Sequence, residues 1–266
     1  MAVSKVDSLK TILSSDSVQA QFKNALAENS AAFTASLIEL YAGDNYLQGC
    51  DPKLVVMQAL KAAVLKLPII KSLGQAYIIP YKSNGVMVPQ FQIGYKGFVQ
   101  LAMRTGQYET INADVVLEGE LRTINKLTGE VDFNGTASSE NVIGYFAYFK
   151  LKSGFSKTLY MSKEKTLAHA KKYSKSFEQQ YGTWKTETDK MGVKTVLSNL
   201  LSHWGFMSTE MQQAYNDDDL GDRVREEINN RGNKTNMDFE PADVVQPSAN
   251  GQAPVMDFDN KPGPGF

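Results

Sequence analysis

The stretch that decides the fold is "GQAYIIPYKSNGVMVPQFQIGYKGFVQLAMRTGQYE", residues 74–109. Its first part alternates apolar and polar residues. "QAYIIPY" and "VMVPQFQIG" flank "KSNG", where Asn84-Gly85 supplies the residues that tolerate positive φ in a tight hairpin turn. Pro80 and Pro89 cannot donate to a ladder, so these strands belong at a sheet edge or at strand ends. The period then changes abruptly. "YKGFVQLAMRTGQY" carries a helical stripe of Phe98, Leu101 and Ala102 and stops at Gly106. The corner between hairpin and helix presents Tyr95 and Lys96 at a helix start, where unpaired N–H donors suit a phosphate. Arg104 follows about two turns later and equally suits a structural ion pair.

Working outward, residues 1–32 read as a weak helix or flexible arm suited to subunit contacts, and "AAFTASLIELYAG" as a helix ended by Gly43. Asp51-Pro52 gives an N-cap and a first-turn proline for a largely buried helix ending near Leu67-Pro68. Downstream, "TINADVVLEGE" reads as a strand, and "VDFNG" as another after a turn at 127–129. "NVIGYFAYFKLKSG" and "FSKTLYMS" form two more around Ser153-Gly154, and Ser162 caps the helix "KEKTLAHAKKYSKS". A last helix is expected from about Thr188 to Tyr215. Its core-facing stripe is Val193, Leu197, Leu200 and Trp204, and Lys190 and Lys194 share another face one turn apart. Residues 33–228 form the expected core; from 229 to 266 the chain is rich in Asn, Asp, Pro and Gly and reads as a disordered acidic tail. Helices, then strands, then helices predict an α+β fold, an antiparallel β-sheet and hairpin flanked by helices.

Charge distribution narrows the function. The net charge of −1 hides a body and a tail of opposite sign. Residues 1–215 hold 23 Lys+Arg against 18 Asp+Glu, and residues 216–266 hold 5 against 11. The segment 150–194 holds 11 basic and 4 acidic residues. This asymmetry suits a polyanion-binding body, beside the plainer reading of a lysine-rich solvated surface. The single cysteine, Cys50, excludes an internal disulfide and fits a reducing bacterial cytoplasm. No apolar run is long enough to cross a membrane, so no membrane partner is expected.

Chemistry-bearing motifs are few. There is no G-x-x-x-x-G-K-[ST] loop, dinucleotide fingerprint, G-x-S-x-G elbow or H-E-x-x-H pair. With two histidines and one cysteine, a zinc centre is not expected; neither is any cofactor or catalytic residue. "NDDDLGD" at 216–222 lacks the calcium-loop pattern and reads as linker. What remains is a basic and aromatic constellation: Lys171, Lys172, Tyr173, Lys175, Phe177, Tyr181, Trp184 and Lys185, with Lys190 of the last helix a further candidate contact. Ammonium groups track phosphates, and ring faces stack bases without reading sequence. For Phe177 and Trp184 the competing reading is core packing. Asp114, Glu118 and Glu120 raise a rival class, a magnesium-dependent nuclease, although they equally suit shaping a strand end. A phage assembly protein that binds no DNA is a further rival.

The stretch around Tyr95, together with "WKTETDKMGVKTVLSNLL" at 184–201, resembles the RecT family of phage single-strand annealing recombinases, over about residues 33–215. The resemblance implies a non-enzymatic, ATP-independent protein that coats single-stranded DNA and anneals it to a complementary strand. It implies rings or helical filaments, a fold distantly like the eukaryotic annealing proteins, and a partner 5′-to-3′ exonuclease. By motif match it puts DNA contact on Tyr95, Lys96, Arg104, Lys194 and Thr195, and on Trp184 unless that ring is packing. Ser198-Asn199 departs from the family, where basic residues can occur. The tail's "VMDFDNKPGPGF" resembles the acidic tip of bacterial single-strand binding proteins, which suits competition for basic grooves or recruitment of host factors, a host single-strand binding protein among the candidate partners, beside the plainer reading of a solubilising tail.

Overall fold

The computed structural model describes residues 4–212 except 84, 175–176, 178–181 and 210. Asn84, Lys175, Tyr181, the 216–222 segment and the acidic tail lie outside the described residues. The N-terminal stretch forms two helices, α1 (Lys5–Leu13) and α2 (Asp16–Leu26). Ser4 caps α1, its hydroxyl accepting from the Asp7 N–H. Leu9, Leu13 and Phe22 are buried in the common core, and α1 packs against α3 (Ser30–Ala42) and α4 (Pro52–Val64). In the single chain these helices are therefore part of the body. Asp51 caps α4 as its position before proline predicts, accepting from the Lys53 N–H at 2.8 Å.

The end of α4 explains Arg104. Lys66 sits in the left-handed region, with φ +52°. The Leu67 N–H reaches back to the Ala62 carbonyl at 2.9 Å, closing the helix in a Schellman turn. The Leu65 and Lys66 carbonyls then accept from the Arg104 guanidinium at 2.7 and 2.9 Å. Arg104 thus ties the end of one helix to the end of another. Arg104→Ala is expected to lower stability by about 1–2 kcal/mol, the size of charge-assisted hydrogen bonds at a partly exposed site. Lys66→Gly should raise it by about 1 kcal/mol, because glycine alone enters this region without strain. Thermal unfolding of the two variants measures both.

Strands β1 (Ala76–Ser83) and β2 (Val86–Ile93) form the expected hairpin, a sheet of its own. Pro80 lies directly opposite Pro89. The Gly94 N–H bonds the Gln75 carbonyl, and alternation from that pair makes Pro80/Pro89 a non-hydrogen-bonded pair. Neither ring therefore breaks the ladder. The outward Phe91 N–H of β2 is taken by Gln58 Oε1 of α4 at 3.1 Å. Gly94 leads into α5 (Tyr95–Arg104), which buries Phe98, Leu101 and Ala102.

A second antiparallel sheet runs in the order β3 (Tyr108–Leu117), β6 (Val142–Leu151), β7 (Ser156–Ser162). Between β3 and β6 lies a small ribbon, β4 (Thr123–Ile124) with β5 (Val131–Asp132), so "VDFNG" contributes only two residues of strand. After β7 come α6 (Lys163–Tyr173), capped by Ser162, the single turn α7 (Thr183–Thr186) and α8 (Thr188–Trp204), which packs on the β3–β6–β7 sheet. Among the described residues no helix is long and apolar enough to cross a membrane.

The last helix is shorter than its sequence predicts. It stops at Gly205, whose backbone is extended, and Tyr108 pulls the chain away by donating its hydroxyl to the Phe206 carbonyl at 2.9 Å. Leu197 and Leu200 are buried and Val193 packs against the core, but Trp204 is 52% exposed rather than core-facing, because the helix ends where the sheet beneath it ends. Burial pushes the Tyr108 hydroxyl up to about 12. The folded chain then keeps a proton that the unfolded chain releases above pH 10, so this contribution is intact below pH 10 and is lost as pH rises toward 12. Melting temperatures across that range should fall more steeply for the natural sequence than for Tyr108→Phe.

Candidate nucleic-acid interface

Three backbone elements meet where the hairpin turns into α5. Gly74, with φ +66°, faces Gly94 so closely that a Cβ on Gly94 would strike the Gly74 carbonyl and the Tyr77 ring. A Cβ on Gly97 would strike the Gln75 carbonyl and Ile93. The corner is therefore a place of close backbone approach, and glycine is required there by space. This approach fixes the direction of the next two side chains. Tyr95 is half-buried and Lys96 is exposed, its methylenes running beside Gly74.

Opposite the corner stands the N-terminal half of α8. Gly192 lets the helix rest on the sheet, since any Cβ there would enter the Tyr145 ring. Tyr145 in turn donates its hydroxyl to Asp189 Oδ1 at 2.7 Å, and Lys163 approaches the same oxygen at 3.8 Å. Burial, with the Asp189 carboxylate beside it, holds the Tyr145 hydroxyl well above the ordinary tyrosine range. The start of α8 is thereby fixed to β6 and α6.

Between corner and helix opens a cleft of about 740 Å³. Its walls include Tyr77 and Gln92 of the hairpin, Tyr95 and Lys96 of the corner, Asp114 of β3, Trp184 of α7, and Lys190, Lys194 and Thr195 of α8. Residues 95–96 and 184–195, far apart in sequence, thus line one concavity. Burial, with Asp114 adding its charge, raises the Tyr95 hydroxyl. The cleft also carries acid: Glu187 pairs with Lys190 at 2.8 Å, and Asp189 and Asp114 line the same walls.

The remaining sequence candidates divide. Trp184 is 5% exposed, its ring edge-on to Phe177 at 5.9 Å, so it floors the cleft. Thr195 is buried and donates to the Met191 carbonyl at 2.8 Å. Lys171 and Lys172 are exposed on the last turn of α6, Lys172 standing over the Tyr173 ring at 4.6 Å; Lys185 is exposed on α7. None of these four residues lines the cleft, although Ser174, which follows Tyr173, does. Arg104 is engaged at the end of α4. Sequence reasoning missed the contribution of β3 and of Tyr77 and Gln92, for which only their place beside the hairpin–helix corner was a signal.

The acidic residues that suggested a nuclease have structural tasks. Glu120 accepts the Leu117 N–H at 2.7 Å, Glu118 accepts the Ser139 hydroxyl at 2.9 Å, and Asp114 accepts the Val115 N–H at 2.8 Å. Among the described residues no group of three or more His, Cys, Asp or Glu is placed to hold a metal ion.

Comparison with known proteins bears on the family. The uncharacterised protein YqaK of Bacillus subtilis strain 168 is 44% identical over 259 residues, covering 96% of this chain and 87% of that protein. Protein RecT of Escherichia coli strain K12 is 28% identical over 179 residues, covering 65% of each. A family model described as the RecT family matches residues 31–233, which include every wall of the cleft. The chain belongs to the RecT family, and is a DNA recombination and annealing protein.

Proposed function

We propose that the cleft binds single-stranded DNA and holds it for pairing with a complementary strand, without ATP and without covalent chemistry. The observation that carries the reading is the meeting of Lys96, Lys190 and Lys194 with Tyr95 around one concavity. Three ammonium groups there neutralise neighbouring phosphates and release their counterions, so affinity falls steeply with salt. Contacts of this kind go to the backbone and leave sequence to be read by base pairing. Two naked strands repel; a strand whose phosphates are neutralised and whose bases face outward pairs without that barrier. The annealed duplex, with twice the phosphate charge, is the product the groove retains.

One cleft spans only a few nucleotides, so the reading requires neighbouring subunits, in a ring or helical filament, to continue the groove. The single strand would be exposed by a 5′-to-3′ exonuclease, and the tail is a candidate contact for host single-strand binding protein. The acidic residues in the walls keep the grip reversible, since each opposes a phosphate that comes too close. Adding one oligonucleotide and then its complement tests the reading. Electron microscopy should show filaments growing when the second strand arrives, and single-strand affinity should fall with a log–log salt slope of about −2 for three phosphate contacts. Binding that ignores salt would reject it.

A further inference from the structure

At the far end of α8 from the cleft the chain leaves a group of aromatic side chains in solvent. Trp204 is 52% exposed, Phe206 47% and Phe155 46%. Lys157 stands over the Trp204 ring at 4.8 Å and is anchored there by donating to the Thr128 carbonyl at 3.2 Å. Tyr108 ties this end together: its hydroxyl holds Phe206, its ring meets Phe149 edge-on at 5.6 Å, and Phe149 packs on Phe155 at 5.9 Å. Lys152 precedes Phe155 in the turn between β6 and β7 and is exposed.

We propose that this patch is a second contact for single-stranded DNA, Trp204 offering a ring face to a base and Lys157 and Lys152 meeting phosphates. The inference rests on the reading of the cleft given above and extends it along α8. An exposed ring beside ammonium groups is the combination that binds single strands irrespective of sequence. Lys157 and Lys152 beside exposed rings complement a polyanion in charge, which argues for a nucleic acid as the occupant. From Lys190 to Trp204 the helix rises about 21 Å, or about six nucleotides at a spacing of about 3.4 Å. A strand must therefore exceed about that length to reach both contacts.

Two thymidine oligonucleotides, of four and of about 30 nucleotides, separate the contacts in anisotropy titrations. Trp204→Ala should bind the longer one roughly fivefold or more weakly, the loss of one base stack, and the shorter one as before. The chain has two tryptophans, and the one at the cleft is buried. In the unaltered protein the longer oligonucleotide should therefore shield Trp204 emission from acrylamide, a readout independent of any folding defect in the variant. Unchanged affinity of a folded Trp204→Ala variant, or unchanged acrylamide quenching, would overturn the proposal. Loss of self-association without DNA, at unchanged affinity for the longer strand, would assign the patch to a second copy and overturn it equally. Failure of the cleft reading has a different signature: unchanged binding of the four-nucleotide strand when Lys96, Lys190 and Lys194 are replaced.

Discussion

Changing Lys96, Lys190 and Lys194 together to glutamate is expected to lower affinity for single-stranded DNA by about a thousandfold or more at moderate salt. Each charge-assisted contact contributes about 1.5 kcal/mol or more, so three lost together amount to about 4.5 kcal/mol. Reversed charge adds repulsion to that loss, and the salt slope should drop by about 2. The fold should survive. Lys96 and Lys190 are exposed and Lys194 is only half-buried. The Lys190–Glu187 pair is exposed, a type worth at most about 1 kcal/mol. Lys10 and Lys23, exposed on the N-terminal helices, supply the control: their replacement by glutamate should change affinity far less. Near-normal binding by a triple variant with intact circular dichroism would remove the cleft from the account.

Gly94→Ala should act on fold and function together. The added methyl has no free space, since the Gly74 carbonyl and the Tyr77 ring already occupy it. Overpacking at a rigid corner costs about 2–3 kcal/mol, and for a body of this size that lowers the melting temperature by roughly 5–10 °C. Relief can come only by moving Gly74 away from the start of α5, which reorients Tyr95 and Lys96. Affinity should therefore fall even at temperatures where the variant is fully folded. Gly85→Ala is the comparison: a Cβ there meets nothing within 4 Å, although its positive φ carries ordinary strain. It should weaken the hairpin modestly and leave binding at the corner unchanged. Equal affinities for the two variants would mean that the close approach of Gly74 and Gly94 does not position the site.

The hairpin, the corner and the capped starts of α4 and α6 were legible in sequence because each is specified within a few residues. A turn residue, a change of period or a cap acts locally. The close approaches were not legible. Gly94 against Gly74 and Gly192 against Tyr145 join positions distant in sequence, and a glycine does not announce what will face it. The same limit applies to Arg104, whose basic charge fitted a phosphate as well as the two carbonyls it caps 38 and 39 residues away. Trp204 shows the reverse error. Its helical spacing matched a core stripe, but periodicity cannot tell where the sheet beneath a helix runs out, and there the stripe comes into solvent. Of the cleft, sequence supplied Tyr95, Lys96, Trp184, Lys190, Lys194 and Thr195, and only the packing of α8 on β6 brings them to one concavity.

The central claim is that the corner at residue 95 and the start of α8 grip the same strand. Mass spectrometry of lysine acetylation, with and without a single-stranded oligonucleotide, measures this directly. Lys96, Lys190 and Lys194 should lose reactivity together as the oligonucleotide is added and regain it together as salt is raised, whereas Lys10 and Lys23 should react as before. Cleft lysines that acetylate equally with and without DNA, under conditions where the DNA is bound, would contradict the account.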